Sequence, residues 1–280
     1  MKRSIVVVFA LASTTPVFGE DRCSSDAGLA TDVMLHPGDG FTAYTLCKNQ
    51  LIYNQYLWTI PVTPFIWWGV TDWLTVELDT EAYLGGLFIE PHLPIPSFDV
   101  RLRLYGDARS QFALAYETMI QHLWSPIEQL DEPIRIERAG TSWFHHVNAS
   151  VRVADATYLH ASAGATFSRA LVLEDPHSGR RRSFRDLVSP DASLTLDWRV
   201  SPRISLHASA SYGSTFTYLD NVPRKLQAAV AVRVAPFYAA RHGFLRRMRF
   251  ELASLLWHFP DIGTSAWIPP IFPYVYWNLG

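Results

Sequence analysis

The chain has 280 residues, with 24 Lys+Arg against 26 Asp+Glu and a formal net charge of −2, so it lacks the basic excess of a general nucleic-acid binder. Hydrophobic residues make up 49% and aromatics 14%, including 10 Trp and 12 Tyr, yet no apolar run approaches the ~18 residues that a spanning helix requires. That composition leaves two all-β architectures: an aromatic-rich sandwich, or a barrel whose outer face meets lipid.

The chain opens on Met1-Lys2-Arg3, an apolar stretch over residues 5–12, and Val17-Phe18-Gly19. This is the pattern of a secretory signal peptide over residues 1–19, cut after Gly19. Cys23 follows Glu20-Asp21-Arg22 rather than small apolar residues, so no lipid anchor is expected. The chain has two cysteines, Cys23 and Cys47, without C-x-x-C spacing. In an oxidising compartment they are expected to pair as a staple, worth ~3 kcal/mol in the chain-entropy account.

From Asn49 onward the pattern is extended. Residues 51–60 are broken by Pro61 and Pro64, residues 65–70 follow, and Thr71-Asp72 is a tight turn. In residues 73–84 Leu74, Val76 and Leu78 oppose Thr75, Glu77 and Asp79, and two glycines with three prolines then form a loop over residues 85–96. Asp99, Arg101 and Arg103 alternate with Val100, Leu102 and Leu104, and Glu117 and Gln121 oppose Leu114 and Tyr116. If these polar faces share a wall, Glu77, Asp79 and Glu117 flank Arg101 and Arg103, and cross-strand pairs contribute ~0.2–1 kcal/mol each. Residues 125–140 suggest a longer polar connection.

Residues 142–154 and 158–171 form a hairpin in which His146, Asn148, Ser150, Arg152, His160 and Ser162 share the polar side. Residues 173–186, with Arg180, Arg181, Arg182 and Arg185, suggest a loop. The clearest pattern is residues 192–218, where Leu194, Leu196, Trp198, Leu206 and Tyr212 lie opposite Asp197, Arg199 and His207. A face carrying those three charged or polar groups cannot line a dry core, so the apolar face is the one expected to meet lipid. Arg233 in residues 226–234, and Arg249 and Glu251 in residues 245–259, repeat the arrangement before a last aromatic segment bearing Pro269, Pro270 and Pro273.

This gives twelve extended segments, short and long connections alternating along most of the chain. A Greek-key sandwich has no reason for that alternation. Closure needs the first and last segments to pair, and both carry prolines, so the seam is expected to be the least regular part; without closure the count falls to ten.

With its signal peptide, two-faced strands, alternating loops and the turn Gly69-Val-Thr-Asp72-Trp-Leu74, the chain resembles the Gram-negative outer-membrane β-barrel class over residues 49–277. The resemblance implies a closed antiparallel transmembrane β-barrel of about 12 strands in the cell outer membrane, preceded by a periplasmic segment over residues 20–48. It also implies contact with outer-membrane lipid, lipopolysaccharide and the barrel-assembly machinery, and a monomer. Barrels of this class usually end on an aromatic assembly signal; this chain departs from the pattern by ending Trp277-Asn-Leu-Gly280.

The function expected on this basis is a narrow pore or passive transport channel for a small solute. Its lumen would be lined by Glu77, Asp79, Arg101, Arg103, Glu117, Arg152, Asp197, Arg199, Arg233, Arg249 and Glu251. The alternatives are a structural or surface-interaction barrel with a plugged lumen, and a lipid-modifying enzyme. For the enzyme the tempting pairs are His160-x-Ser162 and His207-x-Ser209, since outer-membrane phospholipases use a similar pair with an Asn partner. Such a pair must face lipid, whereas these share the polar face, so they are read as lumen lining and no catalytic residue, cofactor or metal is expected. His145-His146 point to opposite faces and do not make a metal site. Arg180, Arg181, Arg182 and Arg185, placed outside the cell, are candidates for lipopolysaccharide phosphates.

Overall fold

A computed structural model describes residues 41–56, 65–79, 97–107, 110–129, 134–213 and 223–279. The expected signal peptide, Cys23, and the Pro61 and Pro64 region lie outside them. Twelve strands close into one antiparallel barrel. They are β1 (Leu51–Tyr56), β2 (Phe65–Thr71), β3 (Leu74–Asp79), β4 (Ser97–Tyr105), β5 (Phe112–Gln129), β6 (Arg135–Ala154), β7 (Thr157–Asp175), β8 (Arg180–Ser201), β9 (Ile204–Tyr212), β10 (Leu226–Val234), β11 (Met248–Phe259) and β12 (Thr264–Asn278). Each pairs with its chain neighbours, and β1 closes on β12 with Ile52 opposite Asn278 and Tyr56 opposite Tyr274. No edge is left unpaired, which removes the template for edge-to-edge association.

The proline effect falls one strand away from the expected seam. β1 and β12 pair in continuous register, whereas β11 and β12 slip between Ala253 and Leu255, where Pro269 and Pro270 sit. Proline donates no ladder hydrogen bond, so the strand bulges there instead of opening. One four-residue helix, α1 (Gly243–Arg246), lies in the β10–β11 connection.

Two expected loops are strand. β5 runs on to Gln129 and β6 starts at Arg135, while β7 reaches Asp175 and β8 starts at Arg180. Polar residues alternate here as well as apolar ones do elsewhere, and ladder bonding needs no lipid, so the strands continue into water. Arg181 opposite Glu174 and Arg180 opposite Asp175 keep the register.

The outer face is apolar. On β8, Val188, Leu194, Leu196, Trp198 and Val200 all point outward and are exposed. From Val188 to Val200 the rise is about 30 Å along the barrel axis for a strand tilted ~40°. Just beyond Val188 stands the exposed ion pair Arg169–Asp186, Nη1 to Oδ1 at 2.5 Å, which marks one edge of the apolar band. At the opposite edge, the end with the short turns, Trp73, Tyr105, Phe112, Trp198 and Phe244 form an aromatic girdle. Stretches β5–β8 project past the band at the other end.

Candidate functional site

The alternation that exposes Leu194 and Leu196 turns Thr195 and Asp197 inward, and the same holds around the wall. Glu77, Arg101, Glu117, Asp197, Arg233, Arg249 and Glu251 are all buried inside, and Arg103, Arg152 and Arg199 are half-buried near the short-turn end. The backbone of Asp79 ends β3; its side chain lies outside the described residues.

These charges are organised by cross-strand register. Thr75, Arg101, Glu117 and His146 are successive partners across β3 to β6. Arg101 Nη2 meets Glu117 Oε1 at 2.7 Å, and Asn148 Nδ2 donates to the other carboxylate oxygen. On the far wall Arg233 donates from Nε and Nη2 to Glu251 Oε2 at 2.9 and 2.6 Å, and stacks 4.4 Å over Tyr276. Asp197 and His207 lie opposite each other, Oδ1 to Nδ1 at 3.2 Å.

Strand alternation alone does not reveal what occupies the space between these walls. Residues 41–46 enter the lumen and are buried throughout, where the sequence places them in a periplasmic segment. Arg101 Nη1 donates to the carbonyl of Tyr44 at 3.0 Å, Asn148 Nδ2 to that of Thr42 at 3.3 Å, and the Ala43 amide donates to Ser150 Oγ at 2.8 Å. The Leu46 amide donates to Thr75 Oγ1 at 2.8 Å. Phe41 packs on Phe144 and His146, and Tyr44 meets Tyr158 and His160 edge-on. A signal was present: residues 41–46 carry no charge and end four residues before the first strand. An extended uncharged segment has backbone donors and acceptors to satisfy, and a polar lumen supplies partners.

At its base the plug meets β2. The Asn49 amide bonds the Gly69 carbonyl at 2.7 Å and the Gly69 amide bonds the Gln50 carbonyl at 2.9 Å. A Cβ on Gly69 would lie 1.9 Å from the Cys47 carbonyl oxygen, so only glycine allows this approach. Cys47 is disulfide-bonded.

A second layer closes the opposite mouth. β7 shifts phase near Arg169, so Leu171 and Leu173 turn inward and join Ile134, Ile136, Leu255, Trp257, Phe259 and Ile262 in one apolar cluster. The compensating irregularity is on β6 between Ala139 and Ser142, where Gly140 has φ +73°. The β7–β8 tip reaches over the shorter β9 and β10 to the β11–β12 turn. Thr264 Oγ1 donates to Asp175 Oδ2 at 2.7 Å and Arg180 Nη1 to the Ile262 carbonyl at 3.2 Å. Arg182 Nε reaches the Asp261 carbonyl at 3.3 Å. Hydrogen bonds from Thr264, then from Ser178 and its neighbouring amides, hold the Asp175 carboxyl well below the usual carboxylate range.

The four candidate arginines are therefore on a strand, not in a loop, and they divide. Arg180 and Arg182 are tied to the β11–β12 turn, while Arg181 and Arg185 alternate to the other face.

The histidine pairs face inward. His160 and Ser162 are buried, with His160 Nδ1 2.8 Å from Ser150 Oγ, a hydroxyl that also accepts from the plug. His145 lies on the outer face beside Trp143 and Tyr116, whereas His146 is inside at 3.2 Å from Asp191. Among the described residues no group of three or more His, Cys, Asp or Glu could hold a metal ion. Asp191, which also accepts from Thr166, is a lumen residue that the sequence reading misses, because Pro190 beside it resembles a loop end.

Full closure, an apolar band of bilayer height and an ionic interior are the physical requirements of a membrane-spanning barrel. The protein is a closed, membrane-spanning type of β-barrel. No protein-family model and no curated protein sequence matches the chain. Among solved structures it is similar to the outer membrane channel DcaP of Acinetobacter baumannii, with TM-score 0.33, 11% identity, and 82% of this chain and 62% of that one covered. The chain thus spans under two thirds of DcaP. An outer membrane channel from Pseudomonas putida F1 has TM-score 0.35 and 11% identity, with 87% and 98% covered. The P. putida toluene transporter TodX has TM-score 0.29 and 10% identity, with 80% and 75% covered. Likenesses this distant transfer no residue roles.

Proposed function

We propose that the protein is a passive outer-membrane transport channel for small solutes, in which residues 41–46 are the plug of a closed state. The observation that carries this reading is the Arg101 guanidinium, shared between Glu117 of the wall and the Tyr44 carbonyl of the plug. Buried ions cost several kcal/mol each in desolvation, and apolar side chains fill a permanently closed barrel more cheaply. Retaining Arg101, Glu117, Asp99 and Glu77 inside is economical if water replaces the plug in a second, conducting state. The short-turn end, where residues 47–50 meet Gly69, then faces the periplasm, and the β5–β8 projection faces outward.

Conductance in planar bilayers tests the proposal. Gly69→Ala pushes a methyl group into the Cys47 carbonyl without altering any charge, so it is expected to raise the open fraction over the native protein. A variant that stays silent in a folded barrel would favour the second reading, a plugged surface-interaction barrel, which the apolar mouth cluster supports. On that outer surface Arg181 and Arg185 are the arginines placed to meet lipopolysaccharide phosphates; salt-sensitive binding should fall in the Arg181→Ala/Arg185→Ala double variant. We further infer that Cys23 is the partner of Cys47 and anchors the plug base, which a mobility shift on reduction would report.

A further inference from the structure

At the short-turn end, below the Asp197–His207 pair, Arg199 of β8, Arg203 of the β8–β9 turn, Arg233 of β10 and Arg249 of β11 line one pocket with Ser205. Register explains the convergence. Arg199 and Arg233 both stand opposite Ser205, on either side of β9, and the small serine leaves room between two long guanidinium side chains. Arg203 follows on the turn, and Arg249 lies on the strand beyond β10.

The described lining of this pocket holds four guanidinium groups and no carboxylate. The adjacent Glu251 is occupied by Arg233 through two hydrogen bonds to one oxygen, whereas Asp197, two positions before Arg199 on β8, lies 3.2 Å from His207 and within electrostatic reach of Arg199 without a hydrogen bond to it. Arg249 Nη1 is held by the carbonyls of Arg246 and Met248, which fixes its position at the pocket. Arg199 differs from these. Its Nε and Nη2 are both buried with no hydrogen-bond partner, while its guanidinium lies 5.8 Å over the Tyr158 ring. Two buried guanidinium donors left unmade are costly, and a planar fork with both donors on one edge suits an oxyanion. The pocket volume of about 10 Å³ admits one water-sized group. One oxygen of a tetrahedral or carboxylate anion fits it, with the remainder in the open mouth beside exposed Arg203.

We propose that this pocket is a periplasmic binding site for a small oxyanion, a phosphate, sulfate or carboxylate, held by Arg199 and Arg203 between the Arg233 and Arg249 walls. The site adjoins the plug, since Arg199 covers the Tyr158 ring on which Tyr44 packs, but it opens at the short-turn end and stands whether or not the lumen conducts.

Titration of the full-length folded barrel in neutral detergent with sodium phosphate, sulfate or acetate, against chloride at matched ionic strength, tests the assignment by calorimetry and by the thermal midpoint. Saturable binding with a raised midpoint is expected for an oxyanion and not for chloride. Arg199→Gln and, separately, Arg203→Gln should each weaken it about tenfold or more. Arg203 lies on an exposed turn, so its substitution leaves the barrel folded and keeps the test decisive if Arg199→Gln does not fold. Equal responses to chloride, or full affinity in Arg203→Gln, overturn the site. A response to micelles containing an anionic phospholipid with none to free phosphate also overturns it, by assigning the charge cluster to a lipid headgroup.

Discussion

Removing the Arg101 guanidinium alone should be far more damaging than removing the ion pair it belongs to. In Arg101→Met the wall loses the 2.7 Å contact to Glu117 and the 3.0 Å contact to the Tyr44 carbonyl. Glu117 is fully buried, so its charge is left without its ionic partner, a situation that costs about 3–5 kcal/mol. Asn148 still donates to the same carboxylate, which places the loss near the lower figure, about 3 kcal/mol. In Arg101→Met/Glu117→Leu the orphaned Glu117 charge is removed too, so the double variant should recover part of that loss, the buried Asp99 and Glu77 beside Arg101 keeping the recovery incomplete. Urea unfolding of the barrel in lipid vesicles, followed by tryptophan fluorescence and gel mobility, gives both numbers. Equal destabilisation of the single and double variants, or a neutral single variant, would show that the pair is hydrated and that the plug does not seal this level of the lumen.

Three other outcomes follow from the same geometry. Leu194 lies midway along the apolar band, so Leu194→Arg should cost about 2–4 kcal/mol in vesicles, and a neutral result would sink the assignment of that face to lipid. Asp175 has a depressed carboxyl pKa, so its contribution to the mouth closure is fully present above the unfolded value of about 3.9 and is lost as pH falls through the lower folded value. Hydrogen exchange at the β7–β8 tip should therefore rise on acidification in the native protein, and stay pH-insensitive through this window in Asp175→Asn. Gly164→Val places its Cβ 1.8 Å from the His145 carbonyl oxygen and should fail to fold in detergent, whereas Gly179→Ala, with open space around it but φ +68°, should cost only about 1 kcal/mol.

The fold was largely legible in the chain. Strand alternation is a property of the backbone, so Leu194 and Asp197 could be assigned to opposite faces before any neighbour was known. The polar alternation of residues 173–186 carried the same information, but an apolar face was the expected mark of a strand. In the β7–β8 projection the outer face meets water and only Leu171, Leu173 and Phe184 mark the inner one, so that mark is weak and the strand resembles a loop.

The lumen was legible only as a wall. Periodicity directs Arg101 and Glu117 inward, and residue type says that they can pair. It does not say whether the space before them holds water or protein, because that depends on contacts between residues 41–46 and strands more than 20 positions away. Ser150 and Ala43 are 107 residues apart, and their hydrogen bond exists only once β6 and the plug share one enclosure. The arginine pocket is similar: Arg199, Arg233 and Arg249 are ordinary inward positions until the register of β8 to β11 sets them around Ser205. The sequence by itself determined which residues face lipid and which face inward, since a period of two needs no tertiary partner. Only the tertiary structure decided that the interior is occupied and where its charges converge, since burial and pairing are properties of what the closed wall encloses.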